Sequence, residues 1–245
     1  CVDKEVRSVD LLDILDPKRR TSLTAQKTRS STSRKDLIQK ARNRRPRTPL
    51  QLWLYYAAFF KFTIPWQSCC AAHDTPFDMA WALWTGKPSS FIAIGARDSY
   101  KTLTLAGSET MDIVHNACGV VHIGAIESQA LKCYSYVKRN LKDFEDLYDR
   151  PPLMSRTDLR NGGHLEILPC TINRVNSPHE PKVRFDEVEL ADPVSYNEAK
   201  FIAASDEQGN EASICYTTTR KFAYGLAQQE IDTAIKTGKK VMLWC

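Results

Sequence analysis

Gly95, Lys101 and Thr102 are spaced for work on a phosphate. In FIAIGARDSYKTLT (residues 91–104) an apolar run ends at Gly95, four residues intervene, and Tyr100, Lys101 and Thr102 follow. That order reads as a buried strand, a tight loop and a helix start, the layout of the G-x-x-x-x-G-K-[ST] phosphate loop. Its logic is physical: backbone N–H groups and a helix N-terminus must point at the phosphates. Gly95, Ala96, Arg97, Asp98, Ser99, Tyr100, Lys101 and Thr102 would form the cradle. Lys101 would reach the β- and γ-phosphates of ATP, and the Thr102 hydroxyl would ligate Mg²⁺. Tyr100 stands where the second glycine belongs, at a position where the backbone can need special φ and ψ. Strand–turn–helix junctions carrying Lys-Thr also occur without nucleotides, so the loop needs partners elsewhere in the chain.

Asp186 and Glu187 supply them. They close VRFDE (183–187), an apolar strand delivering two adjacent acids to its carboxyl end, some 85 residues after the loop. Asp186 would hold Mg²⁺ and Glu187 would polarise the attacking water, and ligands of open α/β sheets gather at that edge. Solvated acids at a strand end are the plainer alternative. The next strand ends in Tyr216, Thr217, Thr218 and Thr219. In ATP-driven motors the neighbouring strand carries a hydroxyl or amide that senses the γ-phosphate, and Thr217 or Thr218 could serve; β-propensity also explains the run. Arg97 could touch phosphate, reach an adjacent subunit's nucleotide, or pair with Asp98 or another acid.

These residues need a sheet to hold them. After residue 90, strands and helices alternate. Strands are expected at 118–126, 164–170, 182–190, 212–219 and 239–245. Helices are expected at 101–115, 127–147, 199–203 and 222–236, and loops at 151–163 and 171–181. Such alternation argues for an α/β fold with a largely parallel central sheet flanked by helices. Before it, LQLWLYYAAFFKF (50–62) reads as a buried helix whose aromatics serve the core. Asp74 or Thr75 can cap a helix carrying Pro76 in its first turn, stopped by Gly86 and Pro88. Cys69, Cys70 and His73 are metal-ligand types, but no matching Cys-x-x-Cys or His-x-x-His pair stands nearby, which argues against zinc.

The 245 residues carry a formal net charge of +5, unevenly placed. Residues 1–48 hold 14 Lys/Arg and 6 Asp/Glu, so this segment is net +8 and the remainder −3. The chain divides into a basic, partly flexible N-terminal arm (1–48) and one domain (49–245). A short amphipathic helix is expected within residues 1–20, and a helical turn near 35–43. The arm suits an anionic partner or is a solvated tail. Eight cysteines in no regular framework, without a charged-then-apolar leader, favour reduced thiols in a cytosolic compartment. No apolar stretch approaches about 18 residues, so no membrane span is expected. A start at Cys1 and a stop at Cys245 suggest a piece of a longer protein.

Taken together, these motifs resemble the large terminase subunits of tailed double-stranded DNA viruses, the ATP-driven motors that package DNA into capsids. GARDSYKT is similar to that family's irregular phosphate loop, with its early arginine. GVVHIGAIESQALKCYSYV (119–137) is similar to the strand–loop–helix that follows, KVRFDEVEL (182–190) to the Asp-Glu strand, and YTTTR (216–220) to the coupling motif. HDTPFDMAWALW (73–84) is similar to the adenine-side segment, which brings Pro76 to the nucleotide. The likeness covers roughly residues 65–245. It implies a P-loop ATPase of RecA/ASCE type with ATP and Mg²⁺ as cofactors. Arg97, Lys101 and Glu187 would be catalytic, Thr102 and Asp186 would hold the metal, and Thr218 would act as sensor. It implies double-stranded DNA, a portal and a small terminase subunit as partners, and a ring homo-oligomer when assembled. The location implied is the host cytoplasm and, transiently, the viral procapsid. An arginine acting in trans would add roughly 10³–10⁵-fold to the rate. The family also carries a C-terminal nuclease domain, for which this chain leaves no room, so no DNA cleavage is expected from it. A helicase-type translocase, a nucleotide-binding scaffold without turnover, and a basic-arm nucleic-acid binder are the competing readings.

Overall fold

The computed structural model describes residues 34–175 and 179–245. The helix expected within 1–20 and most of the basic arm lie outside the described residues. Seven strands form one sheet: β1 (Ser90–Gly95), β2 (Gly119–Gly124), β3 (Arg156–Asp158), β4 (His164–Pro169), β5 (Lys182–Asp186), β6 (Ser213–Thr218) and β7 (Lys240–Trp244). Their spatial order is β3-β4-β2-β5-β6-β1-β7, and every pairing is parallel except β3 with β4. The expected largely parallel α/β sheet is therefore the observed one.

Eight α-helices are described: α1 (Arg34–Arg42), α2 (Pro49–Tyr55), α3 (Pro76–Thr85), α4 (Lys101–His115), α5 (Glu127–Asn140), α6 (Ile172–Val175), α7 (Pro193–Ala199) and α8 (Leu226–Thr237). They cover both faces, because strand side chains alternate. Phe91, Ala93, Val120, Leu165, Cys215 and Met242 join the core built with α2 to α5, whereas Ile92, Val121, Ile123, Val183, Phe185 and Tyr216 join the one under α7 and α8. The chain leaves β1 through α4 toward β2, on one side, and leaves β6 through α8 toward β7, on the other. The carboxyl ends of β1 and β6 thus lie where connections diverge, the place such sheets open a crevice for ligands.

Local chemistry sets the elements around that crevice. Thr75 caps α3 by accepting from Asp78 N at 3.1 Å, the Asp78 carboxylate accepts from Thr75 N at 2.7 Å, Pro76 opens the helix, and Gly86 ends it at φ 67°. The aromatic run is α-helical to Tyr55 and then widens into a π-helix (Tyr56–Phe60), closed by Lys61 at φ 61°. Its Tyr55, Tyr56 and Phe60 are core, as expected. The end of the basic arm docks on the domain: Arg42 forms a two-pronged pair with Asp146 at 2.7 and 2.6 Å, and Pro46 O accepts from Trp84 Nε1 at 3.0 Å.

Several boundaries differ from expectation. The loop expected at 151–163 contains β3, a three-residue edge strand too short to show periodicity, and the loop at 171–181 contains α6. The short helix lies at 193–199 instead of 199–203, because Asp192 accepts from Ser195 N at 2.8 Å and Pro193 occupies its first turn. α5 ends at Asn140 and passes into two 3₁₀ turns reaching Leu147. β5 stops at Asp186 because Glu187 turns into the left-handed region at φ 60°. Among the described residues, no helix is long and apolar enough to cross a membrane.

His115, at the last turn of α4, meets the rings of Tyr55 and Trp84 edge-on, at 5.1 and 5.9 Å. Burial, aided by the Arg45 charge, lowers its pKa to about 4. The folded state thus resists a proton that the unfolded chain accepts below about pH 6.5. This contribution is complete above that pH and is lost as pH falls toward 4, amounting to about 3 kcal/mol. His115→Phe should therefore flatten the fall in urea midpoint between pH 7 and pH 4.5 relative to the parent chain.

Candidate functional site

Five strand ends meet at one edge. Gly95 is in register with Trp244, Ile94 with Thr218, and Asp186 with both Thr217 and Gly124. Over this edge the chain runs from Gly95 through residues 96–100 into α4, a four-turn helix whose first N–H groups have no partners within the helix. Gly95 has no room for a side chain: a Cβ there would lie 2.5 Å from Ser99 Oγ and 2.8 Å from the Trp244 ring. Trp244 Nε1 donates to Ser99 O at 2.8 Å and props the loop from below. Tyr100 sits at φ 70°, the left-handed backbone a glycine adopts freely and other residues reach at roughly 1–2 kcal/mol.

Lys101 points back under the loop. Its side chain is nearly buried, and Nζ donates to Gly95 O at 3.0 Å, Ala96 O at 2.6 Å and Thr219 Oγ1 at 2.9 Å. Burial lowers its pKa, opposed by the nearby Glu187, Asp186 and Asp98 carboxylates. Thr102 Oγ1 donates to Asp186 Oδ2 at 2.7 Å, and Thr217 Oγ1 donates to Asp186 Oδ1 at 2.8 Å. The structure therefore joins Thr102 to Asp186 across 84 residues of sequence.

A cavity of about 600 Å³ opens in front of these groups. Its wall includes four cations (Arg97, Lys101, Lys132 and Lys221) and two carboxylates (Asp98 and Glu187), a balance that suits a polyanion. Glu187 faces it, paired with Lys221 Nζ at 2.9 Å. Arg97 is exposed and makes no ion pair among the described residues. On the far side of the loop a second hollow of about 250 Å³ is lined by Pro76, Ala96, Arg97, Asp98, Ser99 and Tyr100, among others.

Thr218 is placed differently from its two neighbours. It faces the other side of the sheet, where its Oγ1 accepts from Glu189 N at 3.2 Å. Thr217 and Thr219 are the hydroxyls on the loop side. Sequence reasoning missed Thr219, Lys221 and Lys132; the strand pleat would have ranked Thr219 with Thr217. It also missed Glu189, which is buried and accepts from Phe222 N and Ala227 N, both at 2.8 Å. These bonds pin residues 221–225 as an ordered segment and delay α8 to Leu226. Glu189→Ala strands buried donors and should cost about 3 kcal/mol in urea unfolding, with faster proteolysis between residues 219 and 226.

No family model matches the chain, and no curated protein matches it either. Solved structures do. The HK97 bacteriophage large terminase superposes with a TM-score of 0.59 and 13% identity, over 80% of this chain and 43% of that one. The large terminase of a thermophilic bacteriophage gives 0.51 and 13%, over 82% and 45%. This chain spans less than half the length of either terminase. At such identity the likeness is one of fold, and this chain shares the fold of the matched part of the bacteriophage large terminases.

Proposed function

We propose that the chain is the ATP-hydrolysing motor part of a DNA-packaging terminase large subunit, translocating double-stranded DNA into a capsid. The observation that carries the reading is the Thr102–Asp186 hydrogen bond, with Lys101 beside it and Glu187 next along the chain. A hydroxyl and a carboxylate brought together under a basic cavity are hard oxygen donors of the type Mg²⁺ takes. The cavity volume suits a nucleotide triphosphate group. Thr102 and Asp186 would hold Mg²⁺, which would supply neutralisation of phosphate charge.

The chain's own residues do the rest. The loop amides and the N-terminus of α4 bind the phosphates. Lys101 exchanges its carbonyl partners for phosphate oxygens. Glu187 orients the attacking water once released from Lys221, and Arg97 remains available to phosphate or to a neighbouring subunit's nucleotide. Thr219, bonded to the Lys101 ammonium, is placed to feel whether that ammonium has moved, and passes the change to the segment held by Glu189. Pro76 and its cap form the wall of the smaller hollow, where the adenine would lie. Positioning and charge stabilisation supply most of the rate. Contact with DNA is electrostatic and steeply salt-dependent, and a portal, a small subunit and a ring of copies complete the motor.

Glu187→Gln tests the assignment. It should lower ATP hydrolysis at least about 10²-fold while leaving Mg-ATP binding in place. Unchanged hydrolysis would remove Glu187 from the mechanism.

A further inference from the structure

A second group of ligand-type side chains lies on the outer rim of the smaller hollow. Cys70 Sγ is 3.4 Å from Cys245 Sγ, and His73 Nδ1 is 3.0 Å from the same Cys245 sulfur. All three donor atoms lie within 4.8 Å of one another. Cys70-Ala71-Ala72-His73 is a Cys-x-x-His half-site, and His73 N donates to Cys70 O at 3.0 Å, closing a tight turn that holds both side chains toward one point. The other half, which the local sequence lacks, arrives from the end of β7. Its approach is built into the fold: Asp74 N donates to Leu243 O at 2.9 Å, Leu243 N donates to Asp74 Oδ2 at 3.1 Å, and Lys240 pairs with Asp74 at 3.1 Å.

We propose that Cys70, His73 and Cys245 bind one Zn²⁺, with the fourth position left to water. Two thiolates and an imidazole are the soft-to-borderline set that selects zinc over magnesium or calcium. Tetrahedral zinc with ordinary bond lengths holds its sulfurs about 3.8 Å apart and sulfur and nitrogen about 3.6 Å apart. Cys70 Sγ and His73 Nδ1 each need to move away from the Cys245 sulfur by only about half an ångström, within the reach of side chains at an exposed rim. A disulfide between the two sulfurs would leave His73 and its turn without a role. Binding releases the two thiol protons, so affinity rises with pH. The ion staples residues 70–73 to β7 at the rim of the hollow that Pro76 and Arg97 share. None of its three ligands belongs to the loop or to the Asp-Glu strand, although His73 and Cys245 also line the hollow assigned to the adenine; zinc binding is therefore read with the metal alone, without nucleotide.

The test uses the reduced chain, stripped with chelator, and the metal alone. Zinc titrated against a chromophoric competitor should bind one per chain and raise the melting temperature in a concentration-dependent way. Cobalt should give a thiolate-to-metal charge-transfer band and the intense visible absorption of a tetrahedral site. Cys70→Ser, His73→Asn and Cys245→Ser should each weaken zinc at least about tenfold, with circular dichroism unchanged, and Cys69→Ser should not. The parent's cobalt spectrum stands even if one variant misfolds. Absence of stoichiometric binding, a cobalt spectrum without thiolate character, loss of binding in Cys69→Ser instead of Cys70→Ser, or a Cys70–Cys245 disulfide that persists in the reduced preparation would overturn the proposal.

Discussion

Lys101→Ala should lower ATP turnover by at least about 10²–10³-fold while leaving the domain folded. The Lys101 ammonium sits under the loop. It is nearly buried, and its donors are satisfied by Gly95 O, Ala96 O and Thr219 Oγ1. It is the cation that the loop encloses, next in the chain to the Thr102 of the Thr102–Asp186 pair. Truncation removes the charge from the floor of the cavity, where low dielectric makes it count most. It also uncouples Thr219 from the loop. Structural cost should be small, because Ala96 is exposed and the space vacated by the Lys101 side chain opens onto the cavity. Nucleotide affinity should fall as well, so turnover is to be measured at saturating ATP, with circular dichroism as the check on folding. Retention of more than about a tenth of the parent rate would take Lys101 out of phosphate stabilisation.

The largest effect on stability is expected from Arg184→Leu, about 3–5 kcal/mol. Arg184 is wholly buried at the centre of the sheet and is in register with His122 on the neighbouring strand. Both reach α4, which presents Glu109 and Asp112, one turn apart and also buried. His122 Nδ1 lies 2.7 Å from Glu109 Oε1, and Arg184 Nη2 lies 3.4 Å from Asp112 Oδ2. Burial opposes charge on His122, but the Glu109 carboxylate outweighs it and raises the pKa, so the histidine keeps its proton more readily than in water. Removing Arg184 leaves Asp112 a buried carboxylate whose remaining side-chain donor, among the described residues, is Asn116 at 2.9 Å. It also deprives Ser213 O of a donor. An apolar replacement of both partners, Arg184→Leu with Asp112→Leu, should recover a large part of the loss, because both desolvation costs disappear together. Urea unfolding of the two singles and the double measures this coupling. Additive losses would mean that the pair does not act as a unit.

How much of this was legible depends on which residues are asked. α4 was found to the residue, since Lys101 opens it after a loop and the apolar pattern runs unbroken to His115. Motif logic assigns Thr102 and Asp186 to one metal; the structure shows the two side chains hydrogen-bonded to each other, and the metal role stays a proposal. The phase of the β6 pleat was not legible, because three consecutive threonines look alike until the sheet assigns alternate faces. Glu187 was placed on a strand, yet its left-handed backbone ends that strand and turns the carboxylate to Lys221. Tyr100 shows the reverse case: the missing glycine was visible, and the left-handed backbone it calls for is present with a tyrosine in it. The neighbours of Cys70 and His73 could not be read locally, since β7 comes beside residue 74 only through the sheet order.

The proposed shared, Mg-dependent ATPase site is tested by ATP hydrolysis of this chain with and without Mg²⁺ across a wide range of protein concentration. Glu187→Gln is run alongside, and double-stranded DNA is present in one series. Turnover is expected to require Mg²⁺, to climb more steeply than linearly with concentration as copies assemble and exchange an arginine, and to disappear in Glu187→Gln. Failure to bind Mg-ATP at any concentration, or turnover indifferent to Mg²⁺ and to Glu187, would contradict that expectation.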